Sequence, residues 1–158
     1  MNILPFPLIT DLTVSLRFVF GVVAAAVATV VMNYVMAELP EGDTPPRIAA
    51  GVLTMVRPEN APRRLATVIH YVAALLTGPL FVWLIFSVEA LLNDTALSVA
   101  VSAIILYTLM IGFFIIIVLP QSRVSATRVN TIRRDWALAA GGYLGVLVPL
   151  IGGVSLVL

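Results

Sequence analysis

The sequence predicts an all-α protein: a bundle of four transmembrane helices, with a short amphipathic interfacial helix in the first cytoplasmic loop. Three observations lead there. Hydrophobic residues make up 61% of the 158-residue chain and charged residues only 11%, a balance foreign to ordinary soluble domains. Four stretches carry no formal charge at all: Phe18–Ala37, Leu65–Val88, Thr95–Ser122 and Trp136–Leu158. Each reaches the roughly 20 residues that cross a hydrocarbon core at about 1.5 Å rise per residue. The charges gather between these stretches, and arginine favours alternate connections.

At this length the chain is a single integral membrane domain, residues 1–158, with spans expected at about 14–37, 63–90, 96–119 and 136–158. All nine basic residues are arginine and cysteine is absent, which excludes disulfides, thiolate metal sites and lysine chemistry. A net charge of +1 gives no reason to expect nucleic acid as a partner.

Span one is preceded by "MNILPFPLITDL". A signal peptide opens on a basic n-region, whereas this segment holds two prolines and an aspartate, so a cleaved signal peptide is not expected. Orientation follows from arginine. Arg47, Arg57, Arg63 and Arg64 lie between spans one and two, and Arg123, Arg128, Arg133 and Arg134 between spans three and four. The connection between spans two and three offers Glu89 and Asp94, and Arg17 is the one remaining cation. The positive-inside rule therefore predicts a multi-pass protein of the cell membrane, with both arginine-rich loops cytoplasmic and both termini outside.

The first of those loops, "GDTPPRIAAGVLTMVRPENAPRR", predicts a helix at roughly 45–57. Thr44 suits the cap, Pro45 the first helical position and Pro58 the stop. At about 100° per residue, Ile48, Ala49, Val52, Leu53, Met55 and Val56 fall on one arc, and Arg47, Ala50, Gly51, Thr54 and Arg57 on the other. Such a helix lies on lipid with its apolar face down, or caps the inner mouth of the bundle; the pattern serves both. Arg63 and Arg64 before span two, and Arg133, Arg134 and Trp136 before span four, are expected as headgroup anchors.

Small residues four apart mark helix contact faces in lipid. Span one offers Gly21, Ala25, Thr29 and Asn33; span two His70, Ala74 and Gly78; span four Gly141, Gly145, Pro149 and Gly153. Span three has only Gly112, so it is expected to face lipid most, leaving the core to spans one, two and four. Pro79 and Pro149 should bend their helices near mid-membrane.

Asn33, the lone histidine His70, and Tyr143 fall at one level, about 8–12 Å inside the arginine-side boundary at helical rise. A polar group in lipid needs a partner, and these three can serve one another. The same level could instead relay protons or line a path. The sequence shows no Ser–His–Asp spacing, no HExxH and no phosphate loop, so no catalytic group, metal site or cofactor is expected. A non-enzymatic accessory, scaffold or interaction subunit is the leading expectation, and a small oligomeric transporter or channel the alternative. The partners expected are the bilayer and either another membrane protein or further copies of this chain. The stretch "NAPRRLATVIHYVAALLTGPLFVWLIF" and the lysine-free charge pattern resemble small uncharacterised multi-pass membrane proteins of salt-loving archaea, a likeness that implies no activity or site.

Overall fold

A computed structural model describes residues 6–157, with side chains from Val14 to Leu156. All regular structure among the described residues is helical. Helix α1 (Phe6–Glu38) leads into α2 (Thr44–Thr54), a 3-10 turn (Pro58–Asn60) and α3 (Arg63–Leu92). Helix α4 (Thr95–Gln121) and α5 (Ala126–Val157) complete the chain. The four long helices are each long and apolar enough to cross a membrane.

The long helices run up and down around a square. α1 packs against α3 and α5, and α4 packs against the same two from the opposite corner. Buried alanines from α1 (Ala24, Ala25, Ala28) meet Phe81, Val82 and Ile85 of α3 and Ala139, Tyr143 and Leu147 of α5 in one core. α4 is the least buried of the four. It still closes the bundle through Ser98, Ser102 and Leu106, so the core belongs to all four helices and not to three.

The tightest approach is between α1 and α3. A Cβ placed on Gly78 would lie 2.0 Å from the Gly21 carbonyl oxygen and 2.8 Å from Ala25 Cβ. Backbone therefore touches backbone here, which dispersion forces reward and which only glycine permits.

At the turn between α3 and α4, Asn93 ends α3 in a left-handed conformation at φ 52°, which asparagine tolerates. Asp94 then caps α4, its Oδ1 accepting from the Leu97 amide at 2.8 Å. Asp/Asn pairs suit these tasks because both side chains bond to nearby backbone.

Three local expectations need correction. The loop helix is α2, and it caps the arginine end of the bundle. Ile48 is fully buried against Phe114, Leu119 and Ile132, while Ala50 packs on Ala61 and Ala66. Leu53 and Met55, expected on the same apolar arc as Ile48, do not share its burial and are 68% and 80% exposed. Met55 is left-handed (φ 59°) and ends the helix, so residues beyond Thr54 leave the helical register, and the small side of the helix, Ala50 and Gly51, lies inward. Thr44 is the first helical residue, not the cap; its hydroxyl donates to Glu41.

Helix α5 begins at Ala126, ten residues before the expected start of the fourth span, so Arg128, Arg133 and Arg134 sit on helix and not on loop. α4 contains a π-helical segment at Phe113–Val118 that hydropathy did not reveal. Its cause lies just beyond it. Pro120 removes an amide from the ladder, and the Gln121 side chain donates to the Ile117 carbonyl at 2.8 Å, compensating part of the disturbed ladder.

Candidate functional site

The helix ends bring polar side chains to one level in the arginine-side half of the bundle. α1 presents Asn33 and α3 presents His70 and Tyr71. Asn33 Nδ2 donates to the Tyr71 hydroxyl at 3.0 Å, and its Oδ1 stands 2.8 Å from His70 Nε2. Because the amide nitrogen is the donor to tyrosine, the amide oxygen must accept, and His70 carries its proton on Nε2. The His70 and Tyr71 rings meet edge to face, 5.2 Å between centroids.

Tyr143 does not join them. It is fully buried, and its hydroxyl donates to the Ala74 carbonyl at 2.6 Å. The expected cluster thus divides into Asn33–His70–Tyr71 and a separate tie from α5 to α3. Depth alone placed Tyr143 at the right level. It could not say which neighbour the ring would reach, and a helix carbonyl beside the interrupted ladder of Pro79 is within range. Tyr71 was the overlooked member, although it adjoins His70 in sequence.

Two hollows share His70 and Pro46 in their walls. One, of about 320 Å³, has polar and charged side chains in its wall: Asn33, Asp43, Arg47, Arg63 and Tyr71. The other, of about 220 Å³, lies deeper among α3, α4 and α5, with Met110, Phe113, Phe114 and Trp136 in its wall. The π-helical turn contributes Phe113, Phe114 and Val118 to this second hollow. π-segments often accompany functional sites.

The packing residues sort by helix. Gly21, Ala25, Ala74 and Gly78 are buried in the α1–α3 contact region. On α5 the expected face points the other way. Gly141, Gly145, Pro149 and Gly153 are exposed, and a Cβ on Gly145 or Gly153 would meet nothing within 4 Å. Gly142 and Gly152 are the glycines in close contact, against Val35 and Val99.

Arg63, Arg64, Arg133 and Arg134 are exposed, as headgroup anchors require. Trp136 is not such an anchor. It is half-buried, packs tilted at 39° against Phe114 with centroids 5.0 Å apart, and donates to the Met110 carbonyl at 3.2 Å. The early start of α5 puts it a full two turns inside the helix, on the same inward side as Ile132 and Tyr143.

The charges at the arginine end also bind one another. Arg128 donates from Nε and Nη2 to both Glu41 carboxylate oxygens, at 2.7 and 2.8 Å, and from Nη1 to Glu59 at 2.7 Å. Asp135, fully buried, accepts the Glu41 amide at 2.9 Å and Arg134 at 3.0 Å. Hydrogen bonding to Arg128 holds the Glu41 carboxyl below its ordinary range. These residues, read from sequence only as topology signals, tie the first loop to α5.

The fold is a four-helix bundle whose helices are long and apolar enough to cross a membrane, compatible with a multi-pass membrane protein. The chain matches no family model, no curated protein and no solved structure, so its role has to be argued from its own residues.

The His70–Asn33 bond can be weighed by substitution. Intramembrane hydrogen bonds average about 0.6 kcal/mol and reach about 1–2 kcal/mol. His70→Gln retains bonding capacity and His70→Leu does not. Thermal unfolding in detergent should therefore rank wild type, then Gln, then Leu, over a range of no more than about 2 kcal/mol. A Gln variant clearly less stable than the Leu variant would exclude hydrogen bonding as what His70 contributes to the fold.

Proposed function

We propose that this chain is a non-enzymatic accessory or scaffold subunit of the cell membrane, which binds a partner helix through the outward face of α5. The observation that carries the reading is the row Gly141, Gly145, Pro149 and Gly153, exposed along one side of the helix. Glycine costs a helix roughly 1 kcal/mol relative to alanine. At Gly145 and Gly153 nothing among the described residues calls for it, since a Cβ would meet open space. A second helix seated there would find backbone it can approach closely, the contact that drives association where lipid removes the hydrophobic term.

The test uses the absence of native cysteine. Gly145→Ile should leave monomer stability unchanged and abolish the association. A single Gly145→Cys chain should form a disulfide dimer in the membrane if the partner is a second copy, and none if the partner is a different subunit that co-purifies. Unchanged oligomeric state and unchanged co-purification in Gly145→Ile would defeat the proposal.

By the positive-inside rule we assign the two arginine-rich segments, residues 38–64 and 123–135, to the cytoplasm and the termini to the outside. Cysteines introduced singly at Asn93 and Thr127 should label from opposite sides of sealed vesicles, Thr127 from within the cytoplasmic space. Labelling of both from one side rules the topology out.

One observation favours a second reading, a small oligomeric transporter or channel. His70 stands in the walls of both hollows, so a movement of its side chain could join them into a path through the inner half of the bundle. Solute flux into vesicles carrying the purified chain, lost in His70→Leu, would support it against the scaffold reading.

A further inference from the structure

His70 leaves one ring nitrogen unspent. With the proton on Nε2 committed to Asn33 Oδ1, Nδ1 carries a lone pair and acts as an acceptor. The bond to Asn33 is the one hydrogen bond this ring makes among the described residues. His70 stands in the wall of the deep hollow, and the other polar side chains there have already placed their protons. Thr77 donates to the Ala73 carbonyl at 2.8 Å, Tyr143 to the Ala74 carbonyl at 2.6 Å and Trp136 to the Met110 carbonyl at 3.2 Å. The wall therefore offers acceptors and no free donor. A complementary ligand has to bring the donor itself.

The rest of the wall says what kind of body the donor sits on. At about 220 Å³ the hollow exceeds the roughly 150 Å³ that holds benzene in an apolar protein cavity. Besides His70, four aromatic rings, Phe113, Phe114, Trp136 and Tyr143, and two thioethers, Met32 and Met110, line it. Rings and sulfur both favour an aromatic guest through edge-to-face and sulfur–aromatic contacts. Entry does not require passage from water. Ala73 and Phe113 belong to the wall and are also exposed on the outer surface of the bundle, Phe113 by 60%, so the hollow opens sideways to the acyl chains.

We propose that this hollow binds a lipid-soluble phenol, whose hydroxyl donates to His70 Nδ1 and whose ring lies among Phe113, Phe114 and Trp136. Any apolar tail leaves through the lateral opening. Asn33 and Tyr71 are positioning residues: they hold the imidazole in the tautomer that accepts. The site is independent of the outward glycine face on α5, so either can fail without the other.

The probes are para-butylphenol and its methyl ether, which share shape and differ in the donor. Trp83 and Trp136 are the two tryptophans. Trp83 is exposed and lies outside the wall, so Trp83→Phe leaves Trp136 as the reporter. In nanodiscs, the phenol should change Trp136 fluorescence saturably and bind about tenfold tighter than the ether, the worth of one net hydrogen bond. Ala73→Leu, at the rim, should weaken both probes, and His70→Leu should reduce the phenol to the level of the ether.

Because His70 is the only histidine, its ring nitrogen resonances are unambiguous. The Nδ1 signal of the wild-type chain should move on adding the phenol and stay still with the ether, a measurement that needs no variant to fold. Equal affinity for the two probes, or a still Nδ1 signal, overturns the hydrogen bond. Fluorescence changes that never saturate, or that ignore Ala73→Leu, overturn the site.

Discussion

Gly78→Ala should leave little folded protein. The added methyl carbon would sit 2.0 Å from the Gly21 carbonyl oxygen, 2.6 Å from the Gly21 carbonyl carbon and 2.8 Å from Ala25 Cβ. Two of these three atoms are backbone, which cannot turn aside as a side chain would. Relief requires α1 and α3 to separate, and both helices contribute to the same core around Ala25, Phe81 and Val82. Overpacking a core costs about 1–3 kcal/mol where side chains can adjust; a backbone clash at the centre of a helix pair should exceed that range. The measurement is the yield of monodisperse protein and its unfolding temperature in detergent. Gly145→Ala is the control. Its methyl meets nothing within 4 Å and alanine favours a helix over glycine by up to about 1 kcal/mol, so this variant should be at least as stable as wild type. If Gly78→Ala matches that control, the close approach of α1 and α3 is not what holds the bundle.

The contrast between these two glycines shows where sequence reading succeeds and where it stops. Span number and order follow from transfer free energy, which depends on composition and is visible without any contact. Small residues four apart are visible too, and they identified Gly21 and Gly78 on facing helices. The same spacing on α5 picked the row at Gly141 and Gly145, which faces outward, and passed over Gly142 and Gly152, which are packed. In water, polar residues would have told the two sides of the helix apart. In lipid both sides are apolar, so periodicity gives a face without saying which way it points. Trp136 failed for a related reason. The anchor reading assumed a helix beginning at the membrane boundary, and α5 begins ten residues earlier. The π-helical turn had one available sign, Pro120 near the end of span three, which length and hydropathy do not weigh. Of the candidate site, Asn33 and His70 were legible because an intramembrane polar group must find a partner at its own depth. Tyr143 was misassigned because depth does not give direction.

Asp135→Ala should cost about 1–3 kcal/mol, the loss attached to orphaning a buried hydrogen-bonding group. Asp135 is fully buried, and its Oδ2 accepts the Glu41 amide 94 positions away in sequence. Without it that amide has no acceptor and the first loop loses its seat on α5. Arg134, the other partner, is 63% exposed and returns to water at little expense, so the penalty comes from the amide rather than from the ion pair. Asp135→Asn keeps a carbonyl oxygen for Glu41 and should fall between wild type and Ala. Glu41 is held from its other side by Arg128, whose hydrogen bonds depress the carboxyl below its ordinary value of 4.5. A depressed carboxyl stabilises the fold above that value and ceases to do so as pH falls through the lower, folded-state value. Wild type should thus lose unfolding temperature on acidification below about pH 4.5, and Arg128→Gln should remove that share of the slope. Because one residue receives both contacts, Asp135→Ala and Arg128→Gln should be non-additive, the second change costing less once the first has freed the loop. Strict additivity, or an Asp135→Ala chain as stable as wild type, would mean that the loop is seated by α2 packing alone and that the charges at this end serve only to orient the chain.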